Sequence, residues 1–276
     1  MKGHDMNPVP AMTGVGLTAI EVARTRAVES RRPDRLFDDP YAERFVEASG
    51  VPPLVPDGVP RTPDAYFAIR TRFFDERLLD ASRSCRQVVI LAAGLDMRAF
   101  RLRWPGGVRL FELDQAAVLA FKQGVLDAHG AAPTCERVAV AGDLRADWPA
   151  ALLAAGLRRE EPVAWLLEGL LFYLDSEAND RVLADVRRVS APGSRLALEH
   201  VNGALLRGMK PTLDALARHG APWQSTVDRP IEWLAARGFR ATAADVAHLA
   251  ERYGRPFPTP KDTDARAWLL DAVLAP

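Results

Sequence analysis

The sequence predicts an α/β fold, a mostly parallel sheet covered by helices on both faces. Three observations predict it. From residue 85 onward, short runs rich in β-branched and apolar residues alternate with longer stretches of helical periodicity. The short runs are mostly apolar, as strands buried on both faces are. Glycines and carboxylates recur just after them, at the strand tips where open parallel sheets bind ligands.

The 276 residues, 48% of them hydrophobic, suffice for one large domain or a domain with a cap. Residues 1–84 read as an N-terminal helical cap or arm. In "TAIEVARTRAVES", Ile20, Ala23, Ala27 and Val28 fall near helical spacing. The stretch 50–64 carries Pro52, Pro53, Pro56, Pro60 and Pro63, so it cannot be a helix interior. A helix follows in "DAYFAIRTRFFDERLLDASR", with Phe67, Arg70, Phe74 and Leu78 on related faces.

The main domain is expected over 85–276. Strands are predicted at 87–92, 108–113, 136–141, 163–168 and 194–201. After the second comes a helix with the stripe Val118, Phe121, Val125 and Leu126. Another lies between Tyr173 and Ser190. Ser176 can cap it, Val182, Leu183, Val186 and Val189 make its apolar face, and Pro192-Gly193 stops it. Residues 230–239 read as an amphipathic helix ending at Gly238. Residues 265–274 fit a helix or a strand, and an antiparallel last strand suits the architecture.

Lys+Arg and Asp+Glu are both 36, for a formal net charge of +0, so nothing favours nucleic acid or an anionic membrane as partner. Cys85 and Cys135 are far apart and read as reduced thiols, and no histidine pair has zinc-site spacing, so no metal is expected. The opening "MKGHDMNPVPAM" lacks a continuous apolar core and does not read as a signal peptide. The most apolar run, 163–174, is short for a bilayer span and holds Glu168. The expected location is the cytoplasm.

The first strand ends in "AAGLD", with Ala92, Gly94 and Met97 where a dinucleotide loop would carry three glycines. A nucleoside without a pyrophosphate needs only Gly94, whose missing Cβ lets backbone approach a ligand. Asp114 stands 20 residues after Gly94. That offset suits an acid holding a ribose diol, though an aspartate there can also cap the next helix. Glu112 is the rival ribose ligand, on the same strand face. Asp96 could fix the turn through an Asx bond. Acids at the tips, including Asp143, Glu168 and Glu199, suit a ligand rich in hydroxyls and amines better than a pyrophosphate. S-adenosylmethionine is such a ligand.

Five stretches carry a family resemblance: "AIRTRFFDE" (68–76), "VVILAAGLDMRAFRL" (88–102), "FELDQAAVLAFK" (111–122), "AGDLR" (141–145) and "LLEGLLFYL" (166–174). The chain resembles, over about residues 15–205, the leucine carboxyl methyltransferase-like family of S-adenosylmethionine-dependent methyltransferases, including its bacterial small-molecule O-methyltransferase branch. The resemblance implies a class I methyltransferase-like, doubly wound sheet with one antiparallel strand and S-adenosylmethionine as cofactor. It implies that Arg70 binds the cofactor's carboxylate and that Gly94 lies against its methionine part. Asp114 would take the ribose hydroxyls, Asp143 and the Leu144 backbone the adenine, and Glu168 the amino group or sulfonium end. Ala92 and Met97 depart from the residues common in relatives, glycine and threonine or serine. Arg98 and Arg101 read as structural partners of neighbouring acids.

Methyl transfer from a sulfonium requires alignment and exclusion of water. A carboxylate acceptor needs no general base, whereas a hydroxyl acceptor is helped by one. His200 is the histidine placed to act as that base, or else a polar cap. Tyr173 is read either as a core aromatic or as lining the acceptor pocket. The segment 201–230, with Met209 and Trp223, would cover the acceptor together with the N-terminal helices. The expected activity is O-methylation of a small-molecule carboxylate or hydroxyl, of polyketide type for example. The alternatives are methylation of a protein C-terminal carboxylate, or S-adenosylmethionine binding without catalysis. The oligomeric state is not legible in the sequence.

Overall fold

A computed structural model describes residues 13–59, 62–256 and 264–275. The opening segment read above and Pro60 lie outside these residues. Three helices come first, α1 (Val15–Ser30), α2 (Ala42–Ser49) and α3 (Asp64–Ala81). There follow β1 (Gln87–Leu91), the one-turn α4 (Arg98–Arg101), β2 (Arg109–Asp114), α5 (Ala116–Ala128), β3 (Glu136–Ala141), α6 (Trp148–Ala154) and β4 (Val163–Leu167). A 3-10 turn (Leu171–Tyr173) leads into α7 (Ser176–Arg188), β5 (Arg195–Val201), α8 (Gly203–Gly208) and α9 (Lys210–Arg218). The chain closes with α10 (Pro230–Ala235), β6 (Phe239–Ala244), α11 (Val246–Arg252) and β7 (Ala267–Leu274).

The seven strands form one sheet in the order β3-β2-β1-β4-β5-β7-β6. β1 to β5 pair in parallel, and β7 runs antiparallel to both β5 and β6. The predicted class is therefore the observed one, with β7 as the single reversed strand. The strand order turns back between β1 and β4, so the loops after these strands diverge and leave a crevice.

Both faces of the central strands β1, β2, β4 and β5 are buried. On one, Ile69, Phe74 and Leu78 of α3 pack against Val88, Ile90 and Leu166. On the other, Trp148 of α6 and Leu183 and Val186 of α7 pack against Val89, Trp165 and Leu198. The predicted stripe on α5 is buried, with Phe121 and Val125 against Ile20, Ala23 and Phe45 of α1 and α2. α3 thus belongs to the sheet-covering layer, and a division at residue 84 cuts through its core. Among the described residues, Ile20 and Ala23 of α1 and Phe45 of α2 pack with Leu95 and Met97 beyond the β1 tip.

Three local expectations change. Asp175, not Ser176, caps α7, accepting from the Ala178 amide at 2.7 Å. Asp175 has the extended backbone of an N-cap, and Ser176 is the first helical residue. Val28, expected on the buried face of α1, is 41% exposed and lines the cavity described below. β6 had no apolar run to announce it. Its sequence "FRATAA" forms an edge strand with most side chains near solvent. Among the described residues, no helix is long and apolar enough to cross a membrane.

Candidate active site

The crevice at the switch point opens into a cavity of about 850 Å³. Its floor is the turn after β1. There both Ala92 and Gly94 adopt left-handed backbone, with φ of 50° and 49°. Alanine is unfavourable in that region, so the departure noted at Ala92 carries real strain. Gly94 is required for a second reason. A Cβ on it would sit 3.2 Å from the Ala19 Cβ of α1, so the missing side chain lets the cap helix approach the turn. The expectation that Gly94 makes room for a ligand is joined by a packing role.

Asp114 at the tip of β2 lines the cavity and ties this turn down. One carboxylate oxygen accepts from the Gly94 amide at 2.6 Å, the other from the Gln115 amide at 2.7 Å. It does not cap α5 in the usual sense, because its bonds reach the adjoining amide and the β1 turn. Burial pushes its carboxyl above the ordinary range. Glu112 is no rival. It is fully buried and taken by Lys122 at 2.8 Å and Arg137 at 2.8 Å, away from the cavity. Asp96 does form the Asx bond, accepting from the Arg98 amide at 2.7 Å.

A chain of buried ions runs beneath the tips of β4 and β5. Arg70 on α3 places Nε 2.9 Å from Glu168 and Nη1 2.9 Å from Glu199. Glu168 then meets Arg98 at 2.8 Å, and Arg98 meets Asp75 at 2.8 Å and also Asp96. Arg101 closes the chain on Asp75 at 2.6 Å. Arg98 and Arg101 are the structural partners of neighbouring acids that the sequence suggested. Burial opposes the charge on Arg70, but Glu199 and Glu168 outweigh it and hold the guanidinium firmly ionised. Four carboxylates face three guanidiniums in this chain, and the neighbouring group of Lys122 and Arg137 on the single carboxylate Glu112 offsets the extra negative charge.

The sequence places Glu199 among the strand-tip acids, and in the structure it is a hub. It accepts from the Tyr66 hydroxyl at 2.5 Å, from Arg70, and from the Gly169 amide at 3.0 Å. Tyr66 was missed altogether. The available signal was its spacing from Arg70, four residues apart on one helix face. Burial, and then Glu199, raise the Tyr66 phenol well above its usual range, so it stays protonated.

Asp143 and Leu144 line the cavity beyond β3. Asp143 is half exposed and chelates its neighbour Arg145 at 2.6 Å, which pulls its carboxyl down to about 2. At the other end of the cavity the wall is aromatic. Phe172 stacks on Trp223 with centroids 4.0 Å apart, and Tyr173 meets Trp223 edge-on at 6.3 Å. The Tyr173 hydroxyl faces Thr18 of α1 and Trp223, and burial raises its pKa. The strap bearing Trp223 is pinned beside the 3-10 turn, with the Gln224 amide donating to Phe172 O at 2.7 Å and the Ser225 hydroxyl to Leu171 O at 3.1 Å. With Met209 and Leu216, segment 201–230 does line this end.

His200 is not brought to the cavity. Successive residues of β5 point to opposite faces. Glu199 points toward α3 and the cavity, whereas His200 points under α7 and α10, fully buried. Its Nδ1 accepts from the Val201 amide at 2.9 Å, and its ring meets Trp233 edge-on at 5.8 Å. Burial depresses its pKa to about 4. The general-base expectation for His200 is therefore abandoned.

The sheet order and the cavity at its switch point define a doubly wound α/β fold with a ligand crevice. A duf574 family protein from Streptomyces avermitilis superposes with a TM-score of 0.56 at 18% identity, covering 92% of this chain and 97% of that one. A Thermobifida fusca protein described as a methyltransferase gives 0.55 at 16%, covering 92% and 94%. The leucine carboxyl methyltransferase family matches residues 19–187. A Parafrankia sp. (strain EAN1pec) protein is 45% identical over 92% of this chain and 86% of its own length. A Saccharopolyspora erythraea protein is 47% identical over 89% and 90%. Both carry the name of S-adenosyl-L-methionine-dependent methyltransferases. The chain belongs to the leucine carboxyl methyltransferase family and is an S-adenosylmethionine-dependent methyltransferase.

Proposed function

We propose that this chain methylates an oxygen of a small organic carboxylic acid, giving a methyl ester. The observation that carries this reading is the protonation chemistry of the cavity. No histidine lines it among the described residues. Its buried carboxylates are engaged: Glu168 and Glu199 by Arg70, Asp96 by Arg98, and Asp114 by two backbone amides. A cavity with no histidine among its described lining residues and with its buried carboxylates engaged suits an acceptor that arrives already ionised.

The residues present fit the cofactor. Asp114 offers remaining lone pairs for ribose hydroxyls, and Leu113, Val118 and Leu144 give apolar walls. Asp143 and the Leu144 backbone would hold the adenine, with the Asp143–Arg145 pair opening to admit its amine. Gly94 and Ala92 would lie against the methionine part. Arg70 would take the carboxylate through Nη2, since Nε and Nη1 are held by Glu168 and Glu199. Glu168 would face the amino group or sulfonium. S-adenosylmethionine supplies an electrophilic methyl when bound. α1, laid over Gly94, would exclude water, and Tyr173, kept protonated by burial, would donate to the acceptor and orient it. The aromatic wall of Phe172, Tyr173 and Trp223 suits a compact organic acid more than a peptide tail.

The test is incubation with isotopically labelled S-adenosylmethionine and cell extract, followed by mass spectrometry before and after alkaline treatment. A small labelled product that loses its methyl in base is expected. A base-stable ether overturns the carboxylate reading, and label on a protein C-terminus overturns the small-molecule one.

A further inference from the structure

We infer that Arg26 of the cap helix and Lys122 of α5 are positioning residues of the donor turn, so that α1 is part of the donor site and not only its cover. The inference rests on the reading of the β1 turn as the donor site. Residues 92–98 leave β1 with two left-handed residues, a shape that needs support from outside the turn. That support comes from two buried cations on successive carbonyls. Arg26 Nη2 donates to Leu95 O at 2.6 Å, and Lys122 Nζ donates to Asp96 O. Arg26 is 8% exposed and Lys122 fully buried.

Both cations are aimed by buried carboxylates. Asp39, between α1 and α2, meets Arg26 Nε at 3.0 Å. Glu112 holds Lys122 at 2.8 Å. Such pairs contribute little net stability when buried, so their value lies in geometry. A carbonyl fixed on one side of a peptide fixes its N–H on the other. With Gly94 N held by Asp114, the turn is then clamped at three consecutive residues. Two of these clamps come from the main domain and one from α1. Docking of α1 and the shape of the donor turn are therefore one event, because Arg26 cannot reach Leu95 O unless α1 lies against Gly94.

The experiment measures S-adenosylhomocysteine binding by calorimetry, with hydrogen exchange of residues 93–97 alongside. Arg26→Gln is expected to weaken binding about tenfold or more, the loss of one charged hydrogen bond, and to speed exchange at the Asp96 amide. Arg26→Lys, which can still donate to Leu95 O, should stay within about threefold of wild type. The control is Arg255→Gln. Arg255 is a comparably buried arginine whose bonds go to Glu29 of the same helix, at 2.7 Å, and to Asp34, and not to the turn. It should lower thermal stability yet leave affinity within about threefold. Unchanged affinity in Arg26→Gln, or an equal loss in Arg255→Gln, overturns the inference. Lys122→Met removes a buried partner of Glu112, so exchange at 93–97 in whatever fraction folds is its readout, and unaltered exchange counts against Lys122. Failure of the wild-type chain to bind S-adenosylhomocysteine overturns the donor-site reading itself.

Discussion

The Asp114 carboxylate and the Gly94 amide are joined by a 2.6 Å hydrogen bond across the tips of β2 and β1. One acid thus braces the turn and faces the cavity. A carboxylate has about four acceptor positions, and two are used here. Asp114→Ala should weaken S-adenosylhomocysteine binding by about tenfold to a hundredfold, each charged hydrogen bond being worth about 1.5–3 kcal/mol. Asp114→Asn should fall between, because its oxygen can still accept from Gly94. Wild-type affinity in the alanine variant, measured by calorimetry, would reduce Asp114 to bracing alone.

Ala92 pays a steric penalty at φ 50° that glycine would not. Ala92→Gly should stabilise the fold by about 0.5–1 kcal/mol, the relief of left-handed strain less the extra entropy of an unfolded glycine. Thermal unfolding should then shift upward by about 1–4 °C. A lowered midpoint would mean that the Ala92 methyl makes contacts worth more than the strain.

His200 predicts both a pH dependence and an absence of catalytic effect. Burial lowers its pKa to about 4 in the folded chain, against about 6.5 when unfolded. Between those values the unfolded state binds more protons. Stability is therefore complete above pH 6.5, declines as pH falls, and has lost this contribution near pH 4, by at most about 3 kcal/mol. His200→Gln should flatten that part of the stability profile in chemical denaturation. Its methyl-transfer rate should stay within about threefold of wild type, since the imidazole does not reach the cavity. A hundredfold loss with normal cofactor binding would restore the general base.

Glu199 holds Arg70 and Tyr66 together. Glu199→Ala strands Arg70 with Glu168 alone and should destabilise by about 3–5 kcal/mol. Tyr66→Phe removes the 2.5 Å bond and should destabilise by about 1–3 kcal/mol. The two residues touch, so their effects should not add. A double-mutant cycle should give a coupling of about 0.5–3 kcal/mol, and strict additivity would show that the bond contributes nothing.

Much of the fold was legible because strand and helix periods are local. The five parallel strands fall within a residue or two of where apolar runs place them, and the stripes on α5 and α7 are buried as written. β6 was not legible, because an edge strand needs no apolar face. β7 was ambiguous because its burial comes from β5 and β6 on either side.

At the site, the sequence by itself determined which chemistry stands at each strand tip: Gly94, Asp114, Asp143, Glu168. That follows from strands ending where their apolar runs end. Only the tertiary structure decided which of those side chains face one another. A one-residue step along β5 sends Glu199 to the cavity and His200 beneath the opposite layer, and no composition reveals which face a neighbour covers. Glu112 and Asp114 share a strand face, yet α5 buries one and leaves the other at the opening. Arg70 finds its partners 98 and 129 positions away, and Arg26 finds its carbonyl 69 positions away. Such contacts form because packing brings distant elements together, and they were beyond the reach of any local pattern.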